Sequence, residues 1–528
     1  MSVKKTGKAE GDSLSPGLRR FLYLTIFMTG GAILIVEILG AKMLSPFFGT
    51  SHFVWTAQIA VTLLSLSVGY WFGGTLVDRS TDLRILFRCI LGAGAYLAMT
   101  IPFCPKVAYA CLDRMPLAVG SLFAAAFLFF VPLTLLAVTS PFLIRVFTTN
   151  METLGGNVGR LYAVGTIGSV AGTVLIGYVL IPLLPNSQTM LITAGVLMLL
   201  PLAHFFIWRN QAYSNTAATI LVLVAGSLGV RGVQLDGKLR FSHLVEIDRA
   251  NSNYGLMQVL DNEGGGLRYY LNDYLTQNTY DTDTGQSTSL FTHMLHGLAK
   301  VYTRETEDVL CIGVGVGVVP MLFANEESNV DAVEINDKIP ALAAKHFGFE
   351  PKKMNLTIGD GRQFVNSCEK KYDAVILDAF LGDSSPSHLM SQEAFNQMKR
   401  VLKPEGVLVI NMFGEFEPGK DFFTASLDKT LKSVFGAVRI HTSGNGNVFF
   451  VASPASVLTQ HREYDYDSTY PTQINEAERA MEGIRQVNSQ SGIILTDDYN
   501  PVDVRDASTR EEHRRSLAMN MRNSEDNE

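Results

Sequence analysis

Hydrophobic positions divide the chain in two. Up to about residue 235 they come in long uninterrupted runs, and beyond that point charge returns and the runs shorten to strand length. A helix needs roughly 20 mostly apolar residues to cross the hydrocarbon layer of a bilayer. Runs near 21–44, 54–74, 85–103, 118–138, 162–184, 189–208 and 217–233 meet or approach that length. The last is the weakest, because its apolar stretch is short and closes at Arg231. The first reads as a span rather than a cleavable signal peptide: no small-residue cleavage site ends it, and further spans follow at once.

Lysine and arginine fall mainly on one side of these spans. Lys4, Lys5, Lys8, Arg19 and Arg20 precede the first; Arg79 and Arg84, then Arg145 and Arg160, then Arg209 occupy alternate loops. The opposite loops hold only Lys42, then Lys106 and Arg114. The positive-inside rule therefore predicts a cytoplasmic N-terminus and a multi-pass protein of the cell (inner) membrane. Seven full crossings would put the C-terminal half outside the cytoplasm, so 217–233 is the run suspected of not crossing. Glu37, within Gly-Ala-Ile-Leu-Ile-Val-Glu-Ile-Leu-Gly, is a carboxyl at membrane depth and reads either as a transport or proton site or as a partner for another helix. Gly69, Gly73, Gly74, Gly165, Gly168, Gly172 and Gly177 punctuate the other spans and predict close helix packing.

From about 241 the grammar changes. Segments 242–247, 255–260 and 267–272 read as short strands, with the turn Asn262-Glu263-Gly264-Gly265-Gly266 between two of them. An alternation follows: a helix around 285–300, strands at Val309–Gly313 and Val330–Ile335, a helix at Lys338–Phe347, and a short strand at Leu356–Ile358. A strand at Ala374–Leu377, a helix at Gln392–Leu402 and a strand at Gly406–Asn411 complete it. Strands alternating with helices imply a doubly wound parallel sheet, which binds ligands at the carboxyl ends of its strands. The expected fold is a polytopic α-helical membrane domain followed by an α/β Rossmann-like, class I methyltransferase-type sheet with a small N-terminal β unit. The expected parts are a basic cytoplasmic tail (1–20), a transmembrane domain (21–233), the β unit (241–280), the Rossmann-like domain (281–505) and a charged tail (506–528).

Composition sharpens this picture. Of 528 residues 47% are hydrophobic and 18% charged, which suits membrane segments better than a soluble enzyme. The net charge of -7 and the lack of a basic aromatic patch argue against a nucleic-acid partner. The five cysteines form no C-x-x-C pair. Cys104 and Cys111 flank one loop, but unpaired thiols are the expectation.

Candidate chemistry gathers at the predicted strand ends. Gly313, Gly315 and Gly317 follow a strand directly, and glycines let the backbone turn tightly and approach a ligand. Glu334 ends the next strand about 20 residues on, where an acid accepts ribose hydroxyls. Gly359-Asp360-Gly361 reads as a structural turn or as capture of an adenine amino group. Asp378 ends Tyr-Asp-Ala-Val-Ile-Leu-Asp, with Asp383 five residues later. Two carboxylates over a cofactor can hold or deprotonate a cationic amine, or one can end a strand and the other cap a turn. No Lys-Ser/Thr follows the glycines, which excludes a P-loop, and no arginine follows Glu334 to take a 2′-phosphate. The loop suits NAD, but the later aspartates suit an adenosyl sulfonium better.

These residues resemble the spermidine synthase (polyamine aminopropyltransferase) family, in particular its members fused to an N-terminal membrane region. Val333-Glu334-Ile335, Gly359-Asp360-Gly361, Tyr372-Asp373 leading to Asp378, Leu402-Lys-Pro404-Glu-Gly406-Val-Leu and Thr496-Asp497-Asp498-Tyr-Asn-Pro501 carry the resemblance. Glu37, Gly159-Arg160-Leu161-Tyr162-Ala163 and Ile181-Pro182-Leu183 are similar to the fused members. The resemblance implies transfer of an aminopropyl group from decarboxylated S-adenosylmethionine to an amine such as putrescine. It implies Glu334 on the ribose, Asp360 on the adenine and Asp378 as the base, with Gly313, Gly315, Gly317 and Gly361 lining the nucleoside. Asp383, Tyr254 and Gln277 fall to the amine substrate. It implies no metal and no permanently bound cofactor, and it allows a homodimer in the lipid bilayer.

The sequence departs from the family around the amine. Val316 stands where the family carries an aspartate, Phe291-Thr292-His293-Met294 where it has Tyr-His-Glu-Met, and Tyr254-Gly255 where it has Tyr-Gln. Gln277 lies one position from the family's loop glutamine. His293 and His296 share a helix face and read either as replacement polar contacts or as ordinary buried histidines. Two further functions stand beside the aminopropyltransferase: a transferase using S-adenosylmethionine with another acceptor, and a non-catalytic transporter or sensor that binds a nucleoside or polyamine.

Overall fold

The computed structural model describes residues 14–49, 52–148, 154–208, 212–235, 243–273, 275–380, 386–444, 446–488 and 490–505. The chain divides into two compact units, essentially residues 1–236 and 237–528.

Among the described residues the first unit contains seven helices long and apolar enough to cross a membrane: α1 (Pro16–Phe48), α2 (Phe53–Arg79), α3 (Leu83–Leu112), α4 (Leu117–Phe147), α5 (Leu154–Leu183), α6 (Asn186–Trp208) and α7 (Asn215–Leu235). The weakest sequence run, 217–233, is thus a helix of the same kind as the others. α4 and α5 each widen into a π-helical turn, at Ala126–Phe130 and Ile176–Leu180. Pro132 and Pro182 follow those turns. A proline supplies no N–H to the ladder, and a local widening accommodates the loss.

Glycine sets the closest helix contacts. A Cβ at Gly168 would stand 2.1 Å from the Phe27 carbonyl oxygen, and one at Gly172 would stand 2.4 Å from that of Gly31. α1 and α5 therefore touch backbone to backbone, a contact that only small residues permit. Gly69 and Gly73 do the same for α2 against α4, each placing a Cβ within 2.8 Å of Ala137, Thr134 or Pro141. Gly74 and Gly177 face open space, so packing does not account for them. All five cysteines are free thiols, Cys104 and Cys111 included.

The second unit opens with a five-stranded antiparallel meander: β1 (Leu244–Ser252), β2 (Gly255–Asn262), β3 (Leu267–Asn272), β4 (Leu275–Asp281) and β5 (Gln286–Ser287). Three of these were legible as strands. β4 and β5 carry polar residues at most positions and give no apolar alternation. The helix expected from 285 begins only at Leu290, because residues 286–287 pair with β4.

An eight-stranded sheet follows, in the order β13-β11-β12-β10-β9-β6-β7-β8. Its strands are β6 (Asp308–Ile312), β7 (Asn329–Glu334), β8 (Asn355–Ile358), β9 (Tyr372–Leu377), β10 (Leu402–Phe413), β11 (Ala437–Thr442), β12 (Asn447–Ser453) and β13 (Ile484–Arg485). β8, β7, β6, β9 and β10 run parallel, while β12 lies antiparallel to β10. The sheet is therefore mixed rather than wholly parallel. The hairpin β11–β12 adds an antiparallel edge of a kind common on doubly wound sheets.

Alternation along each strand builds two cores. Leu310, Ile312, Val375, Leu377, Leu408 and Ile410 face one side. There they meet helices α11 (Gly361–Ser367), α12 (Gln392–Val401) and α13 (Phe422–Val434). Val309, Cys311, Ala374, Ile376, Val407 and Val409 face the other. That side is covered by α8 (Leu290–Tyr302), α9 (Val318–Asn325), α10 (Ile339–His346) and α14 (Ile474–Glu482). Both faces are covered, as the near-continuous apolar strands require.

Candidate functional site

β6, β7 and β8 step outward in one direction, whereas β9 and β10 lie on the opposite side of β6. The order reverses between β6 and β9, and open α/β sheets bind ligands in the crevice beyond the carboxyl ends at such a switch point. Three hydrogen bonds carry the strand ladders into the loops there. Gly313 N–H donates to the Val333 carbonyl at 2.9 Å, Asp378 N–H to that of Ile312 at 3.0 Å, and Gly359 N–H to that of Glu334 at 2.8 Å. The four predicted strand-end features are thereby side by side.

Gly313 is required by close approach. Its φ is +89°, and a Cβ there would lie 2.1 Å from the Asp378 carbonyl oxygen. Gly317, at φ +85°, starts α9 and leaves room for the Phe349 ring. Gly315, at φ +53°, faces open space, so the backbone is bare where a ligand would approach. Gly361 has another reason: a Cβ would strike Ile312 at 2.4 Å, so its missing side chain serves packing of α11 on β6.

Glu334 is buried at the end of β7. One carboxylate oxygen accepts the Val314 N–H at 3.0 Å and the other the Asn336 N–H at 2.9 Å. The glycine loop is thus tied to the acid, and each oxygen keeps a further lone pair for a ligand hydroxyl. Burial pushes its carboxyl above the usual range, and the Asn336 and Val314 amides pull it only part of the way back.

Asp360 caps α11, accepting the Gln363 N–H at 2.8 Å through one oxygen, and His388 stands 2.9 Å from the other. Burial pushes its carboxyl up, but the Gln363 amide and the His388 ring outweigh that, and it lies below the ordinary value. The 386–391 segment that supplies His388 is itself braced. Arg362 donates to the His388 carbonyl at 3.0 Å and to Asp497 at 2.6 Å, and Ser391 donates to Asp497 at 2.6 Å. This gives the terminal Thr496-Asp497-Asp498 motif a structural task.

Asp378 follows β9, and Asn411 at the end of β10 donates to it at 3.0 Å. The residue is partly buried. Burial pushes its carboxyl up to about 6, with the Asn411 amide opposing the shift. Asn411 was missed by reasoning from sequence, although its place at the end of Gly-Val-Leu-Val-Ile-Asn beside the Asp378 strand was a usable signal. Asp373, from the same motif, lies at the opposite end of β9, where it accepts the Asp308 N–H at 3.0 Å and Lys403 at 2.8 Å.

The predicted amine side is less complete. Tyr254 occupies the β1–β2 turn, where its N–H donates to Ser252 at 3.0 Å. Gln277 is half-buried on β4, and Asp383 lies outside the described residues. Val316 is 3% exposed and packs with Met257, Tyr270 and Ile339. The room for a side chain at position 255 is taken, since a Cβ at Gly255 would be 2.3 Å from the Asn272 amide oxygen and 2.8 Å from an Asp273 carboxylate oxygen. The Tyr270 hydroxyl and the Asn272 amide oxygen are buried without a hydrogen-bond partner, and buried polar atoms in that state call for a ligand or water. His293 contacts the Ser287 carbonyl at 2.8 Å, and His296 lies 3.4 Å from Glu326 with its ring edge-on to Phe323. Among the described residues no group of three His, Cys, Asp or Glu side chains is placed to hold a metal.

Known proteins give this site a context. Residues 288–443 match the family model of the spermine/spermidine synthase domain. The chain is 29% identical over 226 residues to a probable polyamine aminopropyl transferase of Bifidobacterium longum, covering 39% of this chain and 50% of that protein. It is 23% identical over 425 residues to polyamine aminopropyltransferase 2 of Aquifex aeolicus, covering 78% of this chain and 82% of that one. The spermidine synthase structure from Thermotoga maritima aligns at 16% identity and a TM-score of 0.36 over 46% of this chain and 84% of that chain. The chain therefore spans only about half the length of the first of these relatives. Residues 288–443 therefore form a domain of the spermine/spermidine synthase kind within this chain.

Proposed function

We propose that the second unit transfers the aminopropyl group of decarboxylated S-adenosylmethionine to an amine of the putrescine type, and that α1–α7 hold the protein in a lipid bilayer. Glu334 accepts the ribose hydroxyls, the bare backbone of the glycine loop at Gly315 runs along the nucleoside, and Asp360, steadied by His388, takes the adenine amino group. The reaction is a displacement. The amine nitrogen attacks the aminopropyl carbon bonded to the sulfonium, the C–S bond breaks with its electron pair going to sulfur, and methylthioadenosine leaves. Asp378 takes a proton from the incoming ammonium, which frees the lone pair that the displacement needs. Positioning and one proton transfer supply the catalysis, with no covalent enzyme intermediate.

The observation that carries this reading is Asp378. A carboxyl whose ordinary pKa is near 4 is pushed up to about 6 at the end of β9, where its backbone lies against Gly313 of the glycine loop. The amine side would combine Asp378 and Asp383 with Asn272 and Tyr270, whose unpartnered atoms stand in for the family's glutamine. Replacing Asp378 by Asn should lower turnover with putrescine by about 10²–10⁴-fold, the usual contribution of a positioned base. Binding of methylthioadenosine should stay within a few-fold of wild type. Equal turnover in the variant would remove Asp378 from the mechanism.

A second reading is favoured by Val316. An apolar residue buried at the family's aspartate position removes one contact for a cationic amine, which suits transfer from S-adenosylmethionine itself to another acceptor. Product analysis with each sulfonium donor separates the two.

A further inference from the structure

We propose that the first unit holds a binding site for a primary ammonium group between α1 and α2, built from Glu37, Gln58 and Thr62. Gln58 is 0% exposed, and neither its side-chain nitrogen nor its side-chain oxygen has a hydrogen-bond partner. A buried amide with both ends unpaired is costly and rare in native proteins, so it points to a missing occupant. Gly40 makes room for it: a Cβ at Gly40 would stand 2.7 Å from the Gln58 nitrogen and 3.0 Å from its oxygen. Glu37 lies three residues before Gly40 and so on the same face of α1. Thr62 lies four residues after Gln58 on α2, fully buried, and donates to the Gln58 carbonyl at 2.9 Å. Thr62 also stands near Glu37.

Three oxygen acceptors of different kinds thus converge on one place: a carboxylate, an amide oxygen and a hydroxyl. Among the described residues no Lys, Arg or His forms an ion pair with Glu37. An ionisable side chain at membrane depth normally has such a partner or marks a ligand pathway. A primary ammonium brings one positive charge and three N–H donors, which match the carboxylate and the three acceptors in number. Divalent hard cations take six or more oxygens, which this site does not offer. The ammonium can belong to a free diamine or to an aminophospholipid headgroup. Only the choice of diamine as the probe rests on the function proposed above.

The test is binding of radiolabelled putrescine to the full chain in nanodiscs of phosphatidylcholine, which carries no primary amine. Wild type, Glu37→Gln, Glu37→Asp, Gln58→Leu and Asp378→Asn are compared. Glu37→Gln should weaken one class of bound amine at least tenfold, Glu37→Asp should keep it within a few-fold, and Asp378→Asn should leave it intact. Gln58→Leu should weaken that binding without lowering the melting temperature, because it removes two unpaired atoms; a purely structural Gln58 would give the reverse. Competition by phosphatidylethanolamine would support the site and assign it to lipid. Persistence of Glu37-dependent amine binding in a protein that binds no nucleoside would uphold this site while the transferase reading falls. Amine binding unaffected by Glu37→Gln, or displaced by sodium ions at equal concentration, would overturn it.

Discussion

At the scale of residues, two carboxylates in one crevice are held in opposite ways. Glu334 is pinned by two backbone amides, an arrangement that fixes its oxygens for hydroxyl recognition. Asp378 has one amide donor, Asn411, and otherwise feels burial. A carboxyl near 6 is protonated below that pH and cannot accept the proton of an attacking amine. On the proposed reaction, kcat/KM should therefore fall about tenfold per pH unit below about 6. The Asn411 N–H stabilises the ionised form, so Asn411→Leu should raise the pKa and move the acid limb to higher pH. A pH–rate profile checks this, and an unmoved limb would detach Asp378 from the titration. The roles of Glu334 and of the glycines were legible because strand ends can be read from apolar runs. His388 was not, since its partner Asp360 lies 28 residues away and only the folded chain brings the 387–389 turn to it; Asn411 could be placed only once β10 is known to lie beside β9.

At the scale of elements, the small β unit changes what Val316 means. Read alone, the valine is a lost contact; in place, it is one of a buried set with Met257, Val259, Tyr270, Ile339, Leu342 and Phe347. Restoring an aspartate there would bury a carboxylate among apolar side chains. Val316→Asp should destabilise the second unit by roughly 3–5 kcal/mol, the cost of an uncompensated buried charge, as measured by denaturant melts. A folded variant with improved putrescine turnover would contradict this. Helix packing yields a parallel expectation in the first unit. Gly168→Leu must push α5 off the Phe27 carbonyl, and its melting temperature in detergent should drop, whereas Gly177→Leu, which meets open space, should leave it unchanged. The glycine spacing made this packing legible. The hairpin β11–β12 and the short strands β4, β5 and β13 were not legible, because polar and two-residue strands carry no period that a sequence reading can count.

At the scale of the whole molecule, the described residues join a unit of seven long apolar helices to a unit whose residues 288–443 match the spermine/spermidine synthase domain. The apolar runs predict the first unit, and the alternation of strands and helices predicts the second, because both depend on local patterns. The central claim is that this crevice takes a decarboxylated adenosyl sulfonium. Its most direct test is calorimetric titration of the detergent-purified full chain with decarboxylated S-adenosylmethionine, S-adenosylmethionine and methylthioadenosine, with Glu334→Gln as control. The account predicts tighter binding of the decarboxylated form than of S-adenosylmethionine, weakened at least tenfold in the variant. Absence of binding by all three, in protein that melts cooperatively, would contradict it.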